Sequence, residues 1–164
     1  MAQERLTFHA GPKNPIAPIE KQTEYIEAGP VTFGIEYRLL GKAAEAVRDQ
    51  GVTIHVFDSR DGKRTERIRF DCFDTDPHIH YIDPAKSVND LNGIDPVADG
   101  DPAAFALDCI QTRLADMLRA AGAGDLAKQI DPAALDDAMP RVAEAAYRAR
   151  FHTDAEAMHR GAGK

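Results

Sequence analysis

Val52-Thr53-Ile54-His55-Val56-Phe57, a turn at Asp61-Gly62, and then Glu66-Arg67-Ile68-Arg69-Phe70-Asp71-Cys72-Phe73 read together as a β-hairpin. Successive side chains on a strand point to opposite faces, so Val52, Ile54 and Val56 share one face, and Ile68, Phe70 and Cys72 share one face of the next strand. A slip of one residue would send either set to the wrong side. The register that keeps them together sets Val52 opposite Cys72, Ile54 opposite Phe70 and Val56 opposite Ile68, with an odd-length loop centred on Gly62. It also sets Thr53 opposite Asp71, His55 opposite Arg69 and Phe57 opposite Arg67, so the second face is polar.

On the N-terminal side, Val31, Phe33, Ile35, Tyr37 and Leu39 alternate with Thr32, Gly34, Glu36 and Arg38, the pattern of a half-buried strand. Val31 to Leu40 is expected at an edge of the sheet. Lys42 to Gln50 is a helix-forming stretch ended by Gly51. On the C-terminal side, His78 to Ile82 is a short fourth strand that completes an antiparallel meander. Residues 83–101 are rich in turn formers and read as a connection.

Asp101-Pro102 is an N-cap followed by proline in the first turn, and Leu107, Ile110, Leu114, Met117, Leu118 and Ala121 keep helical spacing until Gly122. Asp131-Pro132 repeats that start, with Leu135, Met139, Val142 and Ala146 on one side. Pro140 should kink or split this helix. Thr153 and Glu156 have capping-box spacing for a short last helix. The fold class that follows is α+β: a small, mainly antiparallel sheet of three to four strands packed on C-terminal helices. Residues 1–29, with Pro12, Pro15 and Pro18, form an extended arm, 30–150 a single domain, and 151–164 a short tail.

The chain has 164 residues, long enough for one domain to bury a core. Its formal net charge of −7 repels a phosphate backbone, which argues against nucleic acid as a partner. No apolar run approaches the roughly 18 residues of a membrane span, and Met1-Ala2-Gln3-Glu4-Arg5 does not open a signal peptide. A cytoplasmic location is expected. Cys72 and Cys109 suit neither a disulfide framework nor a zinc module and read as buried thiols.

The densest chemistry lies in Phe70-Asp71-Cys72-Phe73-Asp74-Thr75-Asp76-Pro77-His78-Ile79-His80. On a strand, His78 and His80 aim two imidazoles at one point, half of a site for zinc, iron or manganese. Asp71, Asp74, Asp76, His55 and Glu36 are the candidates for the remaining ligands. With open positions left for water, such a site suits hydrolysis or hydration. A guanidinium beside a metal is an electrostatic cost, so Arg69 opposite His55 argues for His55 as a surface histidine instead. Pro77-His78-Ile79-His80 resembles, in those residues alone, the first metal motif of cupin-like β-barrels. The glutamate and flanking glycines of that motif are missing and the strands are too few for a barrel, so the chain is not assigned there.

Asp90, Asn92, Gly93 and Asp95 resemble part of a calcium loop without its terminal glutamate, and Asx turns account for them. No phosphate loop, nucleophile elbow or nucleotide-cofactor motif is present. The alternative to a metalloprotein is a non-catalytic accessory subunit or small-ligand module, with a small molecule or protein as partner. Its alanine-rich helices would allow a symmetric homodimer.

Overall fold

The computed structural model describes residues 17–40 and 49–151. Six strands run as one antiparallel meander in chain order: β1 (Glu24–Ala28), β2 (Val31–Leu40), β3 (Asp49–Asp58), β4 (Thr65–Phe73), β5 (His78–Asp83) and β6 (Val88–Gly93). Among the described residues three α-helices follow: α1 (Pro102–Ala120), α2 (Gly124–Gln129) and α3 (Pro132–Phe151). The α+β class holds, but three to four strands understates the sheet by β1 and β6. Part of the stretch read as an arm therefore belongs to the sheet, and β2 is flanked by β1 and β3 rather than standing at an edge. Both added strands lie on the outside of the sheet, where polar residues are tolerated and strict alternation is not enforced. β6 has no fully buried residue, and its Asn-Asp-Leu-Asn run gives no period to read.

The hairpin register is as the alternation requires: Val52 pairs with Cys72, Ile54 with Phe70, Val56 with Ile68, His55 with Arg69 and Thr53 with Asp71. Beyond Val56 it shifts. A β-bulge places Phe57 opposite Glu66 instead of Arg67, and Asp58 pairs with Thr65. The bulge turns Arg67 toward the helices, where its Nη2 donates to the Ala121 carbonyl at 2.8 Å. It turns Glu66 to the polar face. Tight chain approach also marks this sheet: a Cβ at Gly51 would run into the backbone of Cys72 on β4.

Alternation builds the core on the other face. Phe33, Ile35, Ile54, Ile68 and Phe70 are buried against Ile110 and Leu118 of α1, Leu126 of α2 and Ala138 and Val142 of α3. Asp101 caps α1 by accepting from the Ala104 amide at 3.0 Å, and Asp131 accepts from the Ala133 amide at 3.0 Å at the start of α3. α3 runs through Pro140 as one helix rather than splitting. Pro140 is exposed while Leu135, Ala138, Met139 and Val142 are buried, so packing against the sheet holds the helix across the lost hydrogen bond. The helix expected over Lys42 to Gln50 and the one at Thr153 to Glu156 fall outside the described residues, except that Asp49 and Gln50 open β3. Cys72 and Cys109 are buried free thiols; burial raises both above their ordinary pKa. No helix among the described residues is long and apolar enough to cross a membrane.

Candidate metal centre

The face of the sheet turned away from the helices carries Glu36 and Arg38 on β2, Thr53 and His55 on β3, Glu66, Arg69 and Asp71 on β4, and His78 and His80 on β5. All but His78 are buried. Neighbouring charges alternate in sign across four strands, which is how so many ionisable groups stay out of water together. The sequence-level candidates separate here into two clusters.

In the first cluster His55, expected at the surface, has 0% exposure. Its Nδ1 lies 2.7 Å from Glu66 Oε1 and its Nε2 lies 3.0 Å from Glu36 Oε1. A carboxylate only accepts, so both ring nitrogens donate and His55 is an imidazolium held between two carboxylates. Burial would lower its pKa, but the bonds and charges of Glu36 and Glu66 win and raise it. Glu36 is closed by further donors: Arg38 Nε to Oε1, and to Oε2 the Ile19 amide at 2.9 Å and the Thr23 hydroxyl at 3.1 Å. Against its burial, the bonds from His55 and the Ile19 amide and the charges of Arg38 and His55 hold the Glu36 carboxyl below its ordinary range. Phe57 stacks on the His55 ring at a centroid distance of 5.5 Å, and Gly34 leaves it room, since a Cβ there would stand 2.9 Å from the Phe57 ring.

The second cluster joins Asp71, His78 and His80. His80 Nε2 is 3.0 Å from Asp71 Oδ2, His78 Nε2 is 3.3 Å from the same oxygen, and the two Nε2 atoms are 3.1 Å apart. Donors about 2.1 Å from a single ion stand about 3.0 to 3.4 Å from one another, from octahedral to tetrahedral geometry, so this triangle has the size of a coordination face. Among the described residues it is the group of His, Cys, Asp and Glu side chains with that property.

The outer hydrogen bonds orient the ligands. His78 Nδ1 donates to the Asp76 carbonyl at 2.7 Å and His80 Nδ1 donates to Asn89 Oδ1 at 2.8 Å. Each imidazole thus spends its Nδ1 proton on an oxygen and turns Nε2 inward, the arrangement that metal-binding histidines adopt. Thr53 donates to the other oxygen of Asp71 at 2.7 Å. Asp49 accepts from the Thr75 and Asp76 amides at 2.9 and 2.8 Å, which fixes the turn that presents the Asp76 carbonyl. Burial would raise the Asp71 carboxyl, but the imidazoles of His78 and His80 beside it, the charge of Arg69 and the Thr53 hydroxyl hold it well below the usual range. His78 is raised: burial opposes its charge, and Asp71 and the Asp76 carbonyl outweigh burial.

Asp71, His78 and His80 are therefore brought together, whereas Glu36 and His55 bind each other on the neighbouring strands. Asp76 contributes its carbonyl, and its side chain is exposed, with Oδ2 4.0 Å from His78 Nδ1. The residues that sequence reasoning missed are Glu66, whose place depends on the bulge, and Asn89, on a strand without a periodic signal. Asp95 accepts from the Val97 amide at 2.9 Å, an Asx turn, as its composition suggested.

Fold and site together define an α+β domain with a largely buried Asp-His-His constellation, His78 its most exposed member, on the polar face of an antiparallel meander. Residues 25–146 match the model of a family described as a domain of unknown function, DUF7700, and the chain belongs to that family. No curated protein and no solved structure matches it.

Proposed function

We propose that this protein binds one divalent transition ion, zinc, iron or manganese, through Asp71, His78 and His80, and uses the remaining coordination positions for metal-assisted hydrolysis or hydration. The observation that carries this reading is the direction of the hydrogen bonds. With both Nδ1 protons committed to oxygens, two imidazole lone pairs and a carboxylate converge on one point. Three acceptors facing one another repel unless positive charge stands among them, from a metal, from the Arg69 guanidinium or from a proton on His78. A bound ion would supply Lewis acidity and lower the pKa of its water. His78 is the most exposed of the three side chains, at 15%, so the open positions face its side.

A second reading rests on Arg69. Its Nε donates to Asp71 Oδ2 at 3.2 Å and its Nη2 donates to His80 Nε2 at 3.0 Å, so the guanidinium supplies positive charge to the cluster without an ion. On that basis the face would be a structural ion network in a non-catalytic binding or accessory module. Elemental analysis of untagged wild-type protein beside a His78→Ala/His80→Ala variant separates the two. About one equivalent of metal in the wild type and none in the variant supports the metal site; none in either, with wild-type stability indifferent to chelator, overturns it.

A further inference from the structure

The geometry points to Arg69 as a built-in competitor of the metal: the ion binds only when the guanidinium leaves His80 and moves onto Glu66. This rests on the metal reading of Asp71, His78 and His80. An imidazole nitrogen has one in-plane lone pair. Asn89 Oδ1 takes the His80 Nδ1 proton, so that lone pair is on Nε2, and Arg69 Nη2 donates into it at 3.0 Å. The reverse tautomer would set an N–H of His80 against an N–H of Arg69. A bond from Arg69 and a bond to a metal at His80 Nε2 are therefore mutually exclusive.

The displaced guanidinium has an acceptor within reach. Arg69 Nη1 is 3.6 Å from Glu66 Oε1, longer than a hydrogen bond and close enough to become one by a small swing. Glu66 Oε1 is also the partner of His55 Nδ1, so the swing connects the two clusters through one carboxylate. Removing the metal reverses the motion. The arrangement weakens affinity for the ion while keeping the vacated ligands paired, and it makes Glu66 and Arg69 positioning residues of opposite sign.

The test is zinc titration against a competing chelator for the wild type, Arg69→Gln and Glu66→Gln, with His78→Ala/His80→Ala as the non-binding control. Arg69→Gln should bind zinc about tenfold or more tightly, because a charge-assisted bond no longer competes. Glu66→Gln should bind several-fold more weakly. A merely structural role would weaken binding in both. If the wild type binds zinc and Arg69→Gln binds no better, this inference fails and the metal site stands; if no protein binds zinc, both fall. In the wild type, the Arg69 side-chain N–H resonances should move on saturation with zinc. Resonances that stay in place under saturating zinc would overturn the swing even if Arg69→Gln does not fold.

Discussion

The two clusters on the polar face are made of the same residue types a few ångströms apart, and they differ in which way their protons point. Around His55, two carboxylates meet two N–H groups of one imidazolium, so donors match acceptors. Around Asp71, both imidazoles spend their Nδ1 protons on the Asp76 carbonyl and Asn89, so acceptors meet acceptors. The first is closed and holds the strands together. The second needs a positive charge, from Arg69, from a proton on His78 or from a metal. Residue composition does not distinguish a structural ion network from a metal centre; the outer hydrogen bonds are what support the metal proposal at the second cluster.

Breaking the closed cluster should have the largest effect. His55→Ala leaves Glu36 and Glu66 buried without their shared cation and should cost about 3–5 kcal/mol in urea unfolding. That loss should be measured on the zinc-free protein, and a loss well below it would mean that water reaches the pair. The open cluster should respond in metal binding instead. Asp71→Asn should abolish metal binding in the zinc titration, and a variant that still takes up one equivalent would remove Asp71 from the ligand set.

Asn89→Ala releases the His80 Nδ1 proton and should lower zinc affinity about 10–100-fold while leaving the ligands themselves intact. Unchanged affinity would place the tautomer under other control. pH separates the clusters next. His55 is raised above its ordinary value of 6.5, so its contribution to stability is complete below that value and is lost as pH rises through the folded-state pKa. Urea midpoints at stepped pH should fall over that interval in the wild type and not in His55→Gln. Metal binding should run the other way: His78 is also raised, so protons compete with zinc and affinity should drop as pH falls through its folded-state pKa. The smallest effect is expected from Thr53→Val, which removes one hydrogen bond to Asp71 at about 1 kcal/mol of stability, read as a shift in the urea midpoint.

Much of this was legible from alternation. Val52 to Val56 against Ile68 to Cys72 settles the central hairpin and puts His55, Arg69 and Asp71 on one face, and His78-x-His80 marks the metal candidate. Strand parity does not carry through the turn at Thr75 to Pro77, so the sequence leaves open whether His78 and His80 share a face with His55. Their pairing, Arg69 with His80 and Asp71 with His78, answers it. β1 and β6 escaped because outer strands need little apolar pattern, and the ligand support of Asn89 escaped with β6.

By itself the sequence determined the elements whose burial is periodic: the central strands β2 to β5, helices α1 and α3 with their Asp-Pro starts, and the acidic, histidine-bearing segment from Asp71 to His80. Short-range chemistry suffices there, because side-chain period and capping act over a few residues. Tertiary structure alone decided the rest. A bulge at Val56/Phe57 delivers Glu66 in place of Arg67, an outer strand delivers Asn89 to His80, and a turn pinned by Asp49 delivers the Asp76 carbonyl to His78. Each depends on a pairing between distant segments, and those pairings fix where the protons of three histidines go.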